Sequence, residues 1–89
     1  MNADNGIYIV KFPDGYRVAE AGAIENIDYF PEGSKECKEE LKSYFGKSKV
    51  YKTLEEVRKR AFELEEEVRD GFGYTEYGIC SLGEYESFE

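Results

Sequence analysis

The segment GIYIVKFPDGYRVAEA, residues 6–21, constrains the fold of this chain more than any other part of its sequence. Its first half is rich in β-branched and aromatic residues, which favour a strand. Pro13, Asp14 and Gly15 supply a tight turn, because Pro presets φ, Asp tolerates the turn and Gly accepts positive φ. The sequence therefore predicts a β-hairpin whose return strand covers residues 16–21.

A helix over residues 34–45 is predicted next. Ser34 has the side chain of an N-cap, and Gly46 stands where a left-handed residue commonly ends a helix. The apolar positions with helical spacing are Cys37, Leu41, Tyr44 and Phe45. They predict one buried stripe. Between the hairpin and this helix, residues 21–30 fit either a helical turn or an irregular strand, and both alternatives remain open.

A second helix over about residues 54–69 is marked by a capping box at its start. In such a box the Thr53 hydroxyl accepts a hydrogen bond from the Glu56 amide, and the Glu56 side chain accepts one from the cap amide. The apolar residues along one side of this helix are Leu54, Val57, Ala61, Leu64 and Val68. That side should be buried against a sheet. Residues 49–51, before the helix, are compatible with a short strand.

The stretch YTEYGICSLGEYE, residues 74–86, predicts the last strand. Its apolar residues alternate imperfectly and fall on both faces: Tyr77, Ile79, Cys80 and Leu82. A strand in the interior of a sheet has this pattern, because neither of its faces is left to solvent. Gly78 and Gly83 then mark a bulge and a strand end, or a close approach to the helices.

These elements predict an α+β fold. We expect a small antiparallel sheet, made of the N-terminal hairpin and the C-terminal strand, with two amphipathic helices packed on one face. The chain has 89 residues, which is the size of one domain. We therefore expect a single domain over residues 1–89, with a flexible N-terminus over residues 1–5.

Cysteine usage and hydropathy favour a cytoplasmic protein. Cys37 and Cys80 are too few to staple a small secreted domain and fall at core-facing positions, so we expect free buried thiols. No apolar run approaches the ~18 residues that cross a bilayer, and the N-terminal MNADNG resembles no signal peptide. The expected compartment is the cytoplasm, that of the host cell if a phage encodes the chain.

The residue inventory argues against catalysis. The chain has no histidine, which removes the most common general base and metal ligand near neutral pH. Cys37 shares its stripe with Leu41 and has no evident general base, and the sequence lacks zinc, EF-hand and glycine-rich phosphate motifs. A small α+β domain has little room for the cleft that a catalytic carboxylate pair needs. We expect no enzyme activity, no catalytic residue, no metal site and no cofactor.

Charge is unevenly distributed along the chain. The net charge is −8, yet residues 35–52 hold six lysines and three glutamates, so the remainder carries −11. A strongly acidic chain disfavours direct nucleic-acid binding, because phosphate contacts supply most of that affinity. The second helix carries an acidic stripe, which we predict to bind a protein partner with a basic surface: Glu56, Glu63, Glu66, Glu67 and Asp70.

The spacing of this stripe suggests what it would bind. Neighbouring carboxylates on a helix surface are about 5–6 Å apart, on the scale of phosphates along a nucleic-acid strand, which rise ~3.4 Å each along the axis. Such a row would fit the basic groove of a nucleic-acid-handling protein. The alternative is a solvated helix face, which Lys59 and Arg60 favour because they can pair with glutamates one turn away.

Two further functions remain open. The segment 35–52 predicts an alternative site for single-stranded nucleic acid or RNA, with tyrosine rings that stack on bases beside ammonium groups that bind phosphate. Its residues are Lys35, Lys38, Lys42, Tyr44, Lys47, Lys49, Tyr51 and Lys52. Otherwise the chain is a homo-oligomeric structural or adaptor protein, such as a homodimer. The lysine segment of one copy would then meet the acidic helix of the next, or the hairpin edge would pair with itself.

In composition, and by no motif, the chain is similar to the small acidic α+β proteins with which phages and other mobile elements block host enzymes. These include DNA mimics that disable restriction or CRISPR complexes. The resemblance implies an anti-restriction or anti-CRISPR-like inhibitor. The leading expectation is therefore a small acidic interaction protein, without enzymatic activity, whose acidic helix binds a basic surface on a nucleic-acid-handling partner.

Overall fold

The structure is a computed structural model that describes residues 5–22, 31, 33–72 and 78–86 of the chain. Its strands are β1 (Asn5–Phe12), β2 (Gly15–Gly22) and β3 (Ile79–Glu84), and its helices are α1 (Lys35–Phe45) and α2 (Leu54–Phe72). The three strands form one sheet in the order β2-β1-β3. The predicted α+β fold is confirmed for these residues.

The hairpin forms as predicted, and its turn glycine has a second role. β1 and β2 pair antiparallel, and Phe12 lies opposite Gly15, so that Pro13 and Asp14 form the loop. Gly15 has a φ of 139°, and a Cβ atom there would lie 2.5 Å from the carbonyl oxygen of Tyr51. Glycine is therefore required both by the backbone conformation and by the chain that passes beside the turn.

β3 pairs with β1 in parallel, so the sheet is mixed and the expectation of an antiparallel sheet is wrong. Ile79 lies opposite Ile7, and the register shifts where Gly83 lies opposite Val10. Gly83, with a φ of 98°, lies at this bulge, and Gly78 directly precedes the strand, so the two glycines exchange the roles expected of them. The direction of β3 was not readable from the sequence, because a connection that contains two helices can return the chain to either end of the sheet.

β1, and not the C-terminal strand, lies between the two other strands. Its apolar side chains are all buried, with exposures of 0–6%: Ile7, Tyr8, Ile9, Val10 and Phe12. β3 is an edge strand of the described sheet, so its predicted interior position is wrong. β3 has apolar residues on both faces because a helix covers each face of the sheet. Burial of both faces does not require a neighbouring strand at each edge.

The two helices cover opposite faces of the sheet, which corrects the expectation that both pack on one face. One core cluster joins β1 to α1 and contains Tyr8, Val10, Phe12, Cys37, Leu41 and Phe45. The other joins the hairpin to α2 and contains Ile7, Ile9, Val18, Val57, Ala61 and Val68. Successive residues of a strand point to opposite faces, so a strand that is apolar at nearly every position needs a cover on each side.

The chain changes faces between the helices by crossing the outer edge of β2. Tyr16 and Tyr51 exchange backbone hydrogen bonds of 2.6 and 2.8 Å. The Ser48 hydroxyl accepts a hydrogen bond of 3.1 Å from the Val18 amide. The strand expected over 49–51 is reduced to a single bridge pair, Tyr16 with Tyr51. This crossing brings the connecting segment and both helices to one edge of the sheet.

Both predicted N-caps are confirmed in their main hydrogen bond. The Ser34 hydroxyl oxygen accepts from the Cys37 amide at 3.2 Å, and the Thr53 hydroxyl oxygen accepts from the Glu56 amide at 3.1 Å. The second half of the capping box differs from the prediction. The Glu56 carboxylate accepts a hydrogen bond of 3.2 Å from the Thr53 hydroxyl, in place of one from the cap amide.

Two predictions near the helix ends are wrong. Gly46 is right-handed, with a φ of −62°, because its amide donates to the Lys42 carbonyl at 2.9 Å and continues the hydrogen-bond pattern of α1. Leu54 is 47% exposed. Apolar spacing identifies one side of a helix but not how far along that side the sheet extends. The remaining stripe residues of α2 are buried or half-buried: Val57, Ala61, Leu64 and Val68.

Several expectations concern residues at the margins of the described chain. Residues 1–4 and 23–30 lie outside the described residues, and with them most of the ambiguous segment 21–30. Cys37 is buried as predicted, whereas Cys80 is only half-buried against the same core cluster, and no disulfide joins the two. Neither helix in the described ranges combines the length and apolar composition needed to cross a membrane.

Replacing Ser34 with alanine should destabilise the protein by ~1 kcal/mol, because the Cys37 amide loses its acceptor at the start of α1. Ser43 is the matched control: it is exposed in the same helix, where alanine is a slightly better helix former. Urea unfolding followed by circular dichroism measures both variants. Equal free energies of unfolding would contradict the capping role of Ser34.

Candidate functional site

The five residues predicted to bind a partner are all exposed on α2. They are Glu56, Glu63, Glu66, Glu67 and Asp70. The helix also carries four basic side chains beside its seven carboxylates, which leaves it a net charge of −3. The whole chain has a net charge of −8. The acidic character of the protein is therefore spread well beyond this helix.

Arg60 divides the acidic stripe. Its guanidinium donates hydrogen bonds of 3.2 Å to Glu63 and 3.0 Å to Glu67. Partial burial lowers the pKa of Arg60, but the hydrogen bond to Glu63 and the charge of Glu67 outweigh it and raise that pKa above its ordinary value. Glu63 and Glu67 are thus partly neutralised and held in place, as expected for a self-paired, solvated helix face.

Glu66 and Asp70 are the carboxylates of the stripe that stay available. Within the described residues, neither carboxylate forms a salt bridge or a side-chain hydrogen bond. Glu56, in contrast, accepts the hydrogen bond from Thr53. A cation from outside the chain could therefore form an ion pair with Glu66 or Asp70 without breaking a salt bridge or a side-chain hydrogen bond among the described residues.

The apolar part of this surface was missed by reasoning from the sequence. Phe62 is 52% exposed and Leu54 is 47% exposed, and they are the exposed large apolar side chains among the described residues. Phe62 has Glu66 as its neighbour one turn further along the helix. A signal was available, because Phe62 falls outside the apolar stripe of α2. We call Leu54, Phe62, Glu66 and Asp70 the α2 face.

A second candidate surface contains part of the lysine and tyrosine segment. Four of its eight residues line one groove: Tyr44, Lys47, Lys49 and Tyr51. The other four do not line it: Lys35, Lys38, Lys42 and Lys52. Successive helix residues are turned by roughly 100°, which places the three α1 lysines on a different flank from Tyr44. The lysines therefore do not form one continuous track.

The groove lies at the outer edge of β2, between the two helices, and has a volume of about 340 Å³. We call it the β2 groove. It is lined by Val18, Ala19, Glu20, Tyr44, Lys47, Ser48, Lys49, Tyr51, Arg60 and Leu64. In the described part of the chain, the backbone of residues 47–49 forms no backbone hydrogen bond to β2. The groove opens where this segment separates from the strand.

The β2 groove is positively charged although the chain is acidic. Among the described residues that line it, Lys47, Lys49 and Arg60 are cationic and Glu20 is the one carboxylate. The Lys49 ammonium lies 5.7 Å from the centre of the Tyr51 ring, a cation–π distance. No salt bridge joins Lys47 or Lys49 to a carboxylate among the described residues. The groove thus presents two ammonium groups to an anionic ligand.

Comparison of the chain with family models, with curated proteins and with solved structures finds no match. Among the described residues, no three histidine, cysteine or carboxylate side chains are placed to hold a metal ion. The α2 face and the β2 groove are therefore the features from which a function can be inferred.

Proposed function

We propose that this protein is a non-enzymatic interaction protein whose α2 face binds a partner protein with a basic surface. The observation that carries the proposal is the exposure of Phe62, 52% of which is accessible in the middle of a charged helix. An aromatic residue surrounded by charged residues has the anatomy of a protein interface, in which an apolar anchor is enclosed by a polar rim.

Phe62 would be the anchor of this interface. Full burial of a phenylalanine side chain is favourable by about 1.5–3 kcal/mol relative to leaving it exposed. Because half of Phe62 is still accessible, much of that free energy is left for a complex. Leu54, 47% exposed, is a second exposed apolar side chain, about two turns nearer the start of α2. The partner should therefore offer an apolar pocket opposite Phe62.

Glu66 and Asp70 would select a basic partner. They have no counter-charge among the described residues, so a partner's lysine or arginine would form a new ion pair without breaking a described one. Glu63 and Glu67 already share Arg60 and would act mainly through the long-range field. Such charges accelerate association more than they add affinity, and salt weakens their effect.

Proteins that handle nucleic acid carry basic surfaces of this kind, because they must hold phosphates. We therefore propose a nucleic-acid-handling protein as the partner. An inhibitor of phage or mobile-element origin, anti-restriction or anti-CRISPR-like, is the form of this function that the acidic composition favours. Occupation of the partner's basic surface predicts that nucleic acid and this protein compete for it.

Affinity capture from a nuclease-treated lysate of the organism that encodes the chain, analysed by mass spectrometry, tests this proposal. The captured protein is then purified and titrated with wild type, Phe62→Ala and the double variant Glu66→Lys/Asp70→Lys. We expect at least about tenfold weaker binding for each variant, since loss of an interface anchor costs roughly 1.4 kcal/mol or more. Added nucleic acid should displace the wild-type protein from its partner.

The matched control is Glu36→Lys/Glu39→Lys. It changes the net charge by the same amount at exposed positions of α1, which packs on the opposite face of the sheet from α2. It should keep the wild-type affinity. Equal losses of affinity in this control and in Glu66→Lys/Asp70→Lys would show that net charge, and not the position of the carboxylates, determines binding. Unchanged affinity in both α2 variants would refute the α2 face as the binding surface.

A further inference from the structure

We propose that the β2 groove is a second binding site, and that its ligand is a nucleotide, an aromatic base joined to a phosphate. The nucleotide is either free or the phosphorylated end of a single strand. The β2 groove and the α2 face share no residue, so this site goes beyond the function proposed above and can be tested apart from it.

The groove exists because pairing along the outer edge of β2 stops early. A side chain, the Ser48 hydroxyl, takes the place of a backbone acceptor for the Val18 amide. The same hydroxyl donates a 2.9 Å hydrogen bond to the Lys49 carbonyl and so fixes the backbone between the two groove lysines. The volume of about 340 Å³ is at the small end of the range for ligand sites, roughly 300–1,000 Å³.

Lys47 and Lys49 are placed to bind the phosphate. Both line the groove on either side of Ser48, and neither is engaged by a described carboxylate. Arg60 reaches the same groove from α2. Its two hydrogen bonds, to carboxylates of its own helix, both use Nη1, which leaves further donors on the guanidinium. Three cationic side chains from two segments of the chain thus line the groove that would hold the anion.

Tyr44 and Tyr51 are placed to bind the base. Tyr44 comes from the end of α1 and Tyr51 from the segment before α2, and both are half-buried where they line the groove. Aromatic rings stack on any base, because every base has a π face. Leu64 adds an apolar surface from α2. The Glu20 carboxylate in the same groove opposes additional negative charge, which favours a monophosphate over a polyphosphate.

The groove suits one nucleotide better than a long strand. Lys35, Lys38 and Lys42 do not line it, so no basic path continues from it along α1. The net charge of −8 also repels a polyanion at long range. The described residues that line the groove therefore suffice to contact one nucleotide but not a strand.

Calorimetric titration of the protein at low salt with adenosine 5′-monophosphate, inorganic phosphate and adenosine tests the site. We expect saturable binding of the monophosphate and at least about tenfold weaker binding of either fragment, since stacking and phosphate contacts both contribute. Lys47→Ala/Lys49→Ala should weaken binding of the monophosphate at least about tenfold. Tyr51→Leu keeps an apolar side chain against the α2 core and should weaken the monophosphate but not inorganic phosphate.

The matched control Lys35→Ala/Lys38→Ala removes the same charge from the other flank of α1 and should bind as wild type does. A 5′-phosphorylated tetranucleotide distinguishes the two sources of the ligand. Tighter binding of the tetranucleotide identifies a strand end, and equal or weaker binding identifies a free nucleotide. Failure of every probe to saturate at millimolar concentration, or an equal loss in the control variant, would overturn the proposal. Partner binding by the α2 face should survive Lys47→Ala/Lys49→Ala, so the two proposals fail separately.

Discussion

Replacing Gly15 with alanine should lower the free energy of unfolding by roughly 2–5 kcal/mol. Two costs combine at this position. The φ of 139° is one that a residue with a side chain rarely adopts. The added methyl group would also lie 2.5 Å from the Tyr51 carbonyl oxygen and 2.7 Å from a methyl group of Val50. Either the turn or the connecting segment must move, and the hydrogen bonds between Tyr16 and Tyr51 would be strained or lost.

Gly33 provides the matched control for this prediction. It too has a positive φ, 82°, but a Cβ atom there meets nothing within 4 Å among the described atoms. Gly33→Ala therefore carries only the conformational cost, about 1 kcal/mol. Urea unfolding of the two variants separates the contributions. Equal losses would mean that the close approach to Tyr51 contributes nothing. No loss for Gly15→Ala would contradict the crossing of the chain beside the hairpin turn.

Replacing Phe45 with alanine should cost about 3–5 kcal/mol. Phe45 is completely buried, at 0% exposure, in the cluster between α1 and the sheet. Its truncation leaves a cavity that the neighbouring side chains fill only in part. A chain of 89 residues has a total stability of roughly 4–13 kcal/mol. The variant should therefore show a strongly lowered midpoint in thermal or urea unfolding.

Phe62→Ala is the matched control, because it is the same substitution at a side chain that is 52% exposed. It should lower the free energy of unfolding by no more than roughly 1.5 kcal/mol, because only about half of the side chain is buried in the folded protein. A cost at Phe62 as large as at Phe45 would mean that Phe62 is covered in solution. Undiminished stability of Phe45→Ala would contradict the placement of α1 over the sheet. Together the two variants separate the core from the proposed interface.

The local parts of this fold were predictable from the sequence, because the interactions that form them join residues a few positions apart. Pro13 and Asp14 make the hairpin turn with their own backbone preferences. Ser34 and Thr53 cap the amides that lie three residues further on. The apolar spacing of each helix also identified its buried side, with Leu54 as the exception at the first turn of α2.

The arrangement of these elements was not predictable, because it depends on contacts between distant residues. The helices lie on opposite faces because the chain crosses the edge of β2, where Val18 and Ser48 meet from 30 positions apart. Tyr51 can approach only because residue 15 is a glycine, and no local pattern joins the two positions. One feature of the sequence did indicate the three-layer arrangement. β1 is apolar on both faces, so another element had to pack on each side of the sheet.

The candidate sites show the same division. Exposure of the α2 carboxylates followed from helical spacing, whereas the pairing of Arg60 with Glu63 and Glu67 needed the side-chain positions. The lysine segment divides for a related reason. Part of it lies on a helix and part on the connection, so sequence spacing alone does not say which lysines lie together. Only Lys47 and Lys49 of its lysines line the β2 groove.

The pairing of β1 with β3 also determines the order in which the chain can fold. β1 and β2 are adjacent in the chain and can form a hairpin within microseconds, but Ile7 cannot pair with Ile79 before β3 has been synthesised. Until then one edge of an apolar strand is unpaired, and unpaired edges are where nascent chains associate wrongly. A translation stop before β3 would leave that edge open permanently. Pairing of β3 with β1 therefore also covers an edge at which unfinished chains can associate.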